Sequence, residues 1–193
     1  TLADNYIRPD PKRVAYWRRY LAEHADGRPT VGISWTSAVV NGTRIPYYMT
    51  LEEMIRCLDH PVLAVNLQYN WTDADLSRLR EAERCNAMRF LHPEGIHLKN
   101  DLDDLAALME ALDLVLTTFT SVGMMSGGVG TPTWVFHASE YRRTWEQFGT
   151  PFVPFLPSVE IFWRFPEDPW DRTIGEINEA IATLCRQWPR PDL

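Results

Sequence analysis

Four hydroxyls, on Thr117, Thr118, Thr120 and Ser121, fall directly after the apolar run Leu114-Val115-Leu116 and before glycines at 123, 127, 128 and 130. A buried strand, a tight turn and a helix opening near Ser121 would aim unpaired N–H groups and the positive end of a helix dipole at the mouth of that turn. Hydroxyls beside such an end suit a phosphate. The glycines admit two readings. They let a ligand or neighbouring backbone come close, or they let the helix pack tightly on the sheet.

Arg44, between Gly42 and Pro46, can fork onto phosphate, or it is a solvated loop arginine. Lys99 offers a second cation, with the same alternative. Gln68 directly follows the apolar run Val62 to Leu67 and can hydrogen-bond a base or sugar. Tyr69 and Trp71 can stack on a ring or cover the sheet edge. His24, His60, His92, His97 and His137 are scattered without metal-ligand spacing, so no metal is expected. His137, near the hydroxyl-rich turn, is the one histidine placed for acid–base work, if it is not structural. The chain carries no GxSxG elbow and no GxxxxGK[ST] loop. Ser126-Gly127-Gly128-Val129-Gly130 follows a turn rather than opening one, so it is not a dinucleotide fingerprint.

With 193 residues, 45% hydrophobic and 23% charged, the chain is expected to fold as a globular domain. A net charge of −7 argues against a nucleic-acid surface, so an anionic ligand needs local cations. No run reaches the ~18 apolar residues of a membrane span. No secretory signal opens the chain, and the missing initiator Met suggests a piece of a longer protein. Cys57, Cys85 and Cys185 lie far apart, as reduced cytosolic thiols do.

Asp10-Pro11 starts a helix that carries Val14, Trp17 and Leu21 on one stripe. Val31 to Trp35 reads as the first buried strand. Thr50 and Glu53 form a capping box that opens a helix to Leu58. Val62 to Leu67 is the second strand, and Asp73 to Arg84 a helix. The third strand is Ala87 to Leu91 or Ile96 to Leu98. Asp101 to Leu112 is a helix with an acidic start at Asp101, Asp103 and Asp104. After the central stretch comes a helix through Trp145, then Pro/Phe-rich coil from Gly149 to Pro157. A last strand spans Ser158 to Trp163, and a terminal helix Asp171 to Trp188. This alternation predicts an α/β fold, an open, mostly parallel Rossmann-like sheet of about six strands with helices on both faces. Ligands of such sheets sit beyond the strands' carboxyl ends, here the loops 34–48, 68–72, 92–101, 117–123 and 137–145.

VGISWTS, RIPYYMTLEEM, VLAVNLQYN, DLDDLAALMEALDLVLTTFTSVGMMSGGVGTPTWVF and PFLPSVEIFWR, in that order, resemble the C-terminal half of bacterial heptosyltransferase-type glycosyltransferases. The nearest variety is the domain found behind tetratricopeptide repeats. YIRPDPKRVAYWRRYL is similar to the connecting helix before that half, and the resemblance covers residues 5–187. It implies one half of the two-domain glycosyltransferase B fold, with 1–29 as connecting segment and helix and 30–193 as the nucleotide-sugar-binding domain. It further implies a cytoplasmic enzyme that works without a bound metal and without a cofactor, the nucleotide-diphosphate sugar being its substrate. The acceptor, a glycan, lipid or protein, and the catalytic base belong to the missing N-terminal domain. A repeat domain is a further partner. The implied donor contacts are Ser34, Arg44, Gln68, Tyr69, Thr118, Thr120, Ser121, Val122 and Gly123.

The chain departs from the family pattern at two places. Phe119 stands where relatives carry Asp, and Met124 where they carry His. Neither can hydrogen-bond a sugar phosphate, so the donor is held differently or its binding is weakened or lost. Two other readings therefore stand beside the donor-binding one. The first is a degenerate, non-catalytic module that binds a ligand or a protein. The second is a different α/β enzyme acting on a phosphorylated small ligand.

Overall fold

The computed structural model describes residues 5–37, 44–139 and 152–188. Helix α1, Pro11–Ala25, begins as its sequence dictates: the Asp10 carboxylate accepts the N–H of Lys12 at 2.8 Å, and Pro11 occupies the first turn. Strand β1, Thr30–Ser34, is buried throughout. A 3-10 turn, Ile45–Tyr47, leads to α2, Leu51–Cys57, whose Thr50–Glu53 capping box is formed at both ends. Then follow β2, Leu63–Asn66, α3, Asp73–Cys85, and β3, Arg89–Leu91. Helix α4, Leu102–Ala111, precedes β4, Leu114–Thr118, α5, Ser121–Val129, and β5, Thr133–Ala138. A two-residue strand β6, Phe152–Val153, turns into β7, Leu156–Arg164, and α6, Asp171–Arg186, ends the described chain.

The seven strands form one sheet in the order β3-β2-β1-β4-β5-β7-β6. Six run parallel; β6 alone pairs antiparallel, with β7. The parallel α/β sheet expected from the alternation is therefore present, and β6 is an addition hidden in the Pro/Phe-rich stretch. Of the two candidates for the third strand, the chain uses 89–91, which pairs with β2 through Leu63, Ala64 and Val65. The helix expected to reach Trp145 and the Asn41-Gly42 part of the first loop lie outside the described residues.

Each strand feeds two cores because its side chains alternate. Val31, Ile33, Ala64, Leu114 and Leu116 face α2, α3 and α6, through Met54, Ile55, Leu79, Ile174, Ile177 and Ile181. Leu63, Val65 and Val115 face the opposite layer, where Trp17 and Leu21 of α1 pack with Leu105, Leu108 and Met109 of α4. Trp17, only 2% exposed, anchors α1 there.

Candidate functional site

The chain winds outward from β1 to β2 and β3, then returns to place β4 on the other side of β1. The strand order reverses between β1 and β4, which leaves a crevice at their carboxyl ends, the place where open α/β sheets bind ligands. Ser34 and Thr117 are register partners at its floor. Residues 34–37 and 44–48 lie on one side of it and the 117–123 turn on the other, and Thr118 of that turn bonds to Tyr47.

The wall after β1 is held from behind. Gln68 is fully buried, and its Oε1 accepts Ser34 Oγ at 3.0 Å, the Trp35 N–H at 2.9 Å and the Thr36 N–H at 3.1 Å. Its Nε2 donates to the Thr36 carbonyl at 3.1 Å and to Asn70 Oδ1. Asn66 Oδ1 takes the Gln68 N–H at 3.0 Å. Ser34 and Gln68 are thus bonded to each other and shape the loop rather than project from it. Tyr69 and Trp71 are partly buried against the α1–α4 core, with the Trp71 ring edge-on to His92 at 4.8 Å, so both cover the sheet edge.

The opposite wall is the start of α5. Thr120 is its N-cap residue, but its side chain makes no capping bond to the first turn. The N–H groups of Ser121, Val122 and Gly123 therefore face the crevice mouth without a side-chain cap, beside the exposed Ser121 side chain. Val122 turns its side chain into the core and offers only backbone. At Gly123 a Cβ would lie 3.3 Å from Thr117 Cγ2 and 3.4 Å from Val135 Cγ2, so glycine lets the turn sit close on β4 and β5. Thr118 Oγ1 donates to the Tyr47 carbonyl at 3.4 Å, and Thr120 Oγ1 to the Thr118 carbonyl at 3.5 Å. The Thr118 bond ties the Ile45–Tyr47 turn to the end of β4. It brings Arg44, exposed at the head of that turn, to the same end of the sheet as α5. Lys99 does not join them: it follows β3, three strands from β4, about 14 Å at the usual ~4.8 Å spacing.

The later glycines serve packing. A Cβ on Gly127 would meet Val159 Cγ2 at 2.6 Å, one on Gly128 would meet Ile7 Cδ1 at 2.8 Å, and Gly130 ends the helix at φ 87°. Only Gly123 lies at the crevice.

Beyond β4 the crevice floor is aromatic. The His137 ring lies between Tyr47 (6.2 Å, stacked), Phe119 (5.7 Å) and Trp163 (5.2 Å, edge-on). Burial among these rings lowers its pKa below the ordinary histidine value. Arg164, at the end of β7, places its guanidinium 4.0 Å from the centre of the Trp170 ring. Tyr47, Arg164 and Trp170 were not foreseen from the sequence; nothing in their spacing marks them. Ile45, Met124 and Phe165 are exposed at this end of the sheet and give it an apolar rim.

No family model matches the chain. It is 33% identical over 181 residues to Protein FlbA of Caulobacter vibrioides, an alignment spanning 93% of this chain and 29% of FlbA. In structure it is similar to a family 9 glycosyl transferase from Veillonella parvula, with a TM-score of 0.57 and 13% identity over 94% of this chain and 54% of that one. It is also similar to the ADP-heptose LPS heptosyltransferase II of E. coli, with a TM-score of 0.58 and 11% identity over 97% of this chain and 55% of that one. The fold is glycosyltransferase-like. The chain spans about half the length of these two transferases and 29% of FlbA.

A groove of about 1500 Å³ lies away from the crevice. It opens at the amino ends of β4 and β5, and Arg8, Arg18, Glu110 and Asp113 line it. Asp113 is occupied there, accepting the Thr30 N–H at 2.8 Å and the Thr30 hydroxyl at 2.7 Å. In this glycosyltransferase-like fold the strand order reverses at the other end of the sheet, which is where the unfilled helix amides also lie.

Proposed function

We propose that residues 30–193 are the donor-binding domain of a glycosyltransferase, which takes a nucleotide-diphosphate sugar into the β1–β4 crevice. The observation that carries this reading is the α5 N-terminus at the strand-order reversal, where Thr120 gives no side-chain cap, with Arg44 at the same end of the sheet. A guanidinium and free helix amides both stabilise a diphosphate, and most of all the extra charge it gains as it leaves the sugar. In this reading Thr118, Thr120, Ser121, Val122 and Gly123 hold the phosphates and no metal is needed. Ser34, Gln68 and Tyr69 set the loop behind the nucleotide. The acceptor and the catalytic base come from chain beyond these 193 residues, which would close on the rim of Ile45, Met124 and Phe165. The likeness to the two transferases supports the reading by fold.

A second reading has its own observation. Phe119 packs toward His137, and Met124 is 41% exposed on the first turn of α5. This side of the crevice has apolar groups where a sugar phosphate would find hydrogen-bond partners, which suits a module that has lost transfer and kept binding.

Thermal stability against UDP, GDP, ADP and CMP, with and without their sugars, tests both. A ligand at about 100 times its dissociation constant adds roughly 2.7 kcal/mol. One clear winner, weakened by Arg44→Ala, is the expected result. Unchanged affinity in Arg44→Ala removes the phosphate argument. No response from this chain or from the full-length protein removes the donor reading, and a sharp gain in donor binding by Phe119→Asp favours the degenerate module.

A further inference from the structure

The turn that carries Arg44 is short, and its Tyr47 packs against the core and stacks on His137. It is one 3-10 turn, Ile45–Tyr47, with no buried residue. Among the described residues, three donors from elsewhere anchor its carbonyls. Thr118 Oγ1 donates to the Tyr47 carbonyl, Trp170 Nε1 to the Tyr48 carbonyl at 3.1 Å, and Arg164 Nη2 to the Pro46 carbonyl. Arg164 also spans its own turn, with Nη1 donating to the Phe165 and Pro166 carbonyls, each at 2.9 Å, and to that of Asp168. No carboxylate forms a salt bridge with it among the described residues. The guanidinium lies 4.0 Å from the Trp170 ring centre, and that ring in turn meets Phe136 of β5 edge-on at 5.6 Å.

Glu53, Asp168 and Glu167 lie near enough to favour the charge of Arg164, but its hydrogen bonds run to main-chain carbonyls of two turns, where the arginine fixes backbone. Its planar fork serves several acceptors at once, which an ammonium group on a flexible stem does not. We infer that Arg164, seated on Trp170, is a positioning residue for the crevice: it clamps the 44–48 turn to the end of β7 and so sets where Arg44 meets an anion. The inference rests on the donor-binding reading for the identity of that anion. The clamp itself does not depend on it.

Two measurements separate the parts. The first is amide hydrogen exchange in wild type, Arg164→Gln, Arg164→Lys and Trp170→Phe. Arg164→Gln should speed exchange of the Tyr47 and Tyr48 amides about tenfold or more, the loss expected when charged donors leave their acceptors, while β4 and α4 stay protected. Arg164→Lys should fall between, and Trp170→Phe, which keeps an aromatic ring and loses Nε1, should loosen the Tyr48 end. Unchanged exchange at these amides in both Arg164→Gln and Trp170→Phe overturns the clamp. The second is a double-mutant cycle on nucleoside diphosphate affinity with Arg44→Ala and Arg164→Gln. Arg164→Gln should weaken binding in the wild-type background and add nothing in the Arg44→Ala background. Equal losses in both backgrounds overturn the positioning role. If wild type binds none of the four nucleotides, the donor reading fails, and the exchange experiment still decides the clamp.

Discussion

Gln68 Oε1 lies 2.9 Å from the backbone nitrogen of Trp35, a residue 33 positions earlier, and the same oxygen also takes Ser34 Oγ and the Thr36 N–H. One acceptor thus serves three donors at the point where β1 becomes the crevice wall. Gln68→Leu removes that acceptor and strands buried donors, each worth about 1–3 kcal/mol when left unmade. Urea denaturation should show a loss of about 3 kcal/mol, and Trp35 fluorescence should report a shifted environment. A loss below about 0.5 kcal/mol, the level of a neutral surface change, contradicts this account.

Alanine at two adjacent glycines of α5 should behave differently. A Cβ on Gly127 meets Val159 Cγ2 at 2.6 Å and Leu156 Cδ2 at 3.0 Å, and both are buried on β7. Gly127→Ala should cost about 1–3 kcal/mol, the usual penalty for overpacking. A Cβ on Gly128 meets the far end of Ile7, a half-buried residue of the lead-in. That side chain can turn aside, and alanine gains up to about 1 kcal/mol of helix propensity, so Gly128→Ala should be nearly neutral. Thermal melts of the two variants check the order.

Histidine makes stability depend on pH. Burial lowers the pKa of His137, and burial followed by Arg80 lowers that of His92. His92 Nδ1 faces the Asn66 amide nitrogen at 3.0 Å, a donor that requires the neutral ring. The unfolded chain, titrating near the ordinary ~6.5, then binds more protons than the folded one below that pH. Stability should hold above about 6.5, fall as the pH drops toward the folded-state values, and level off below them. Urea midpoints at pH 7.5 and 5.0 should differ less for His137→Phe than for wild type. Equal differences would assign the loss to other groups.

The three thiols should react in order of exposure. Cys57 is buried, donates to the Glu53 carbonyl at 3.4 Å, and has its thiol pushed up to about 12 by burial. Burial raises Cys185 as well, while Cys85 is exposed at the end of α3. Only the thiolate attacks a disulfide reagent. At pH 8 an aromatic disulfide should therefore show a fast phase that disappears in Cys85→Ser, then Cys185, with Cys57 released only on unfolding. A fast phase that survives Cys85→Ser would contradict this order.

What the sequence made legible was local. Thr50 and Glu53 sit three residues apart and form their box, with the Thr50 N–H to Glu53 Oε2 at 2.7 Å. Thr72 and Asp75 form a second such box at the same spacing, not foreseen from the sequence although the spacing marks it. The alternation of apolar runs was enough for the parallel sheet, and carboxyl-end loops follow from that topology. The choice between 89–91 and 96–98 was not local. Both runs are short and mix apolar residues with a basic one, and what decides is the backbone partner, Val62, whose carbonyl accepts the Arg89 N–H at 2.8 Å. Arg164 and Pro46 are 118 positions apart, and no periodicity links them. The glycines stayed ambiguous for the same reason: only the atoms opposite a would-be Cβ tell packing from ligand approach. Nothing in the sequence marked Ser34 and Gln68 as each other's partners.

The sheet's two ends bear on how this unit can be handled and what it can join. One end is the three-residue β3, whose Arg89 reaches Asp26 at 3.6 Å; the other is the two-residue β6, with its register broken between Phe152 and Val153. Short, charged or bulged borders give another polypeptide few backbone groups to template on. At β3 and β6, then, little invites a neighbouring molecule to continue the sheet, and fibril-like stacking is opposed at these two strands.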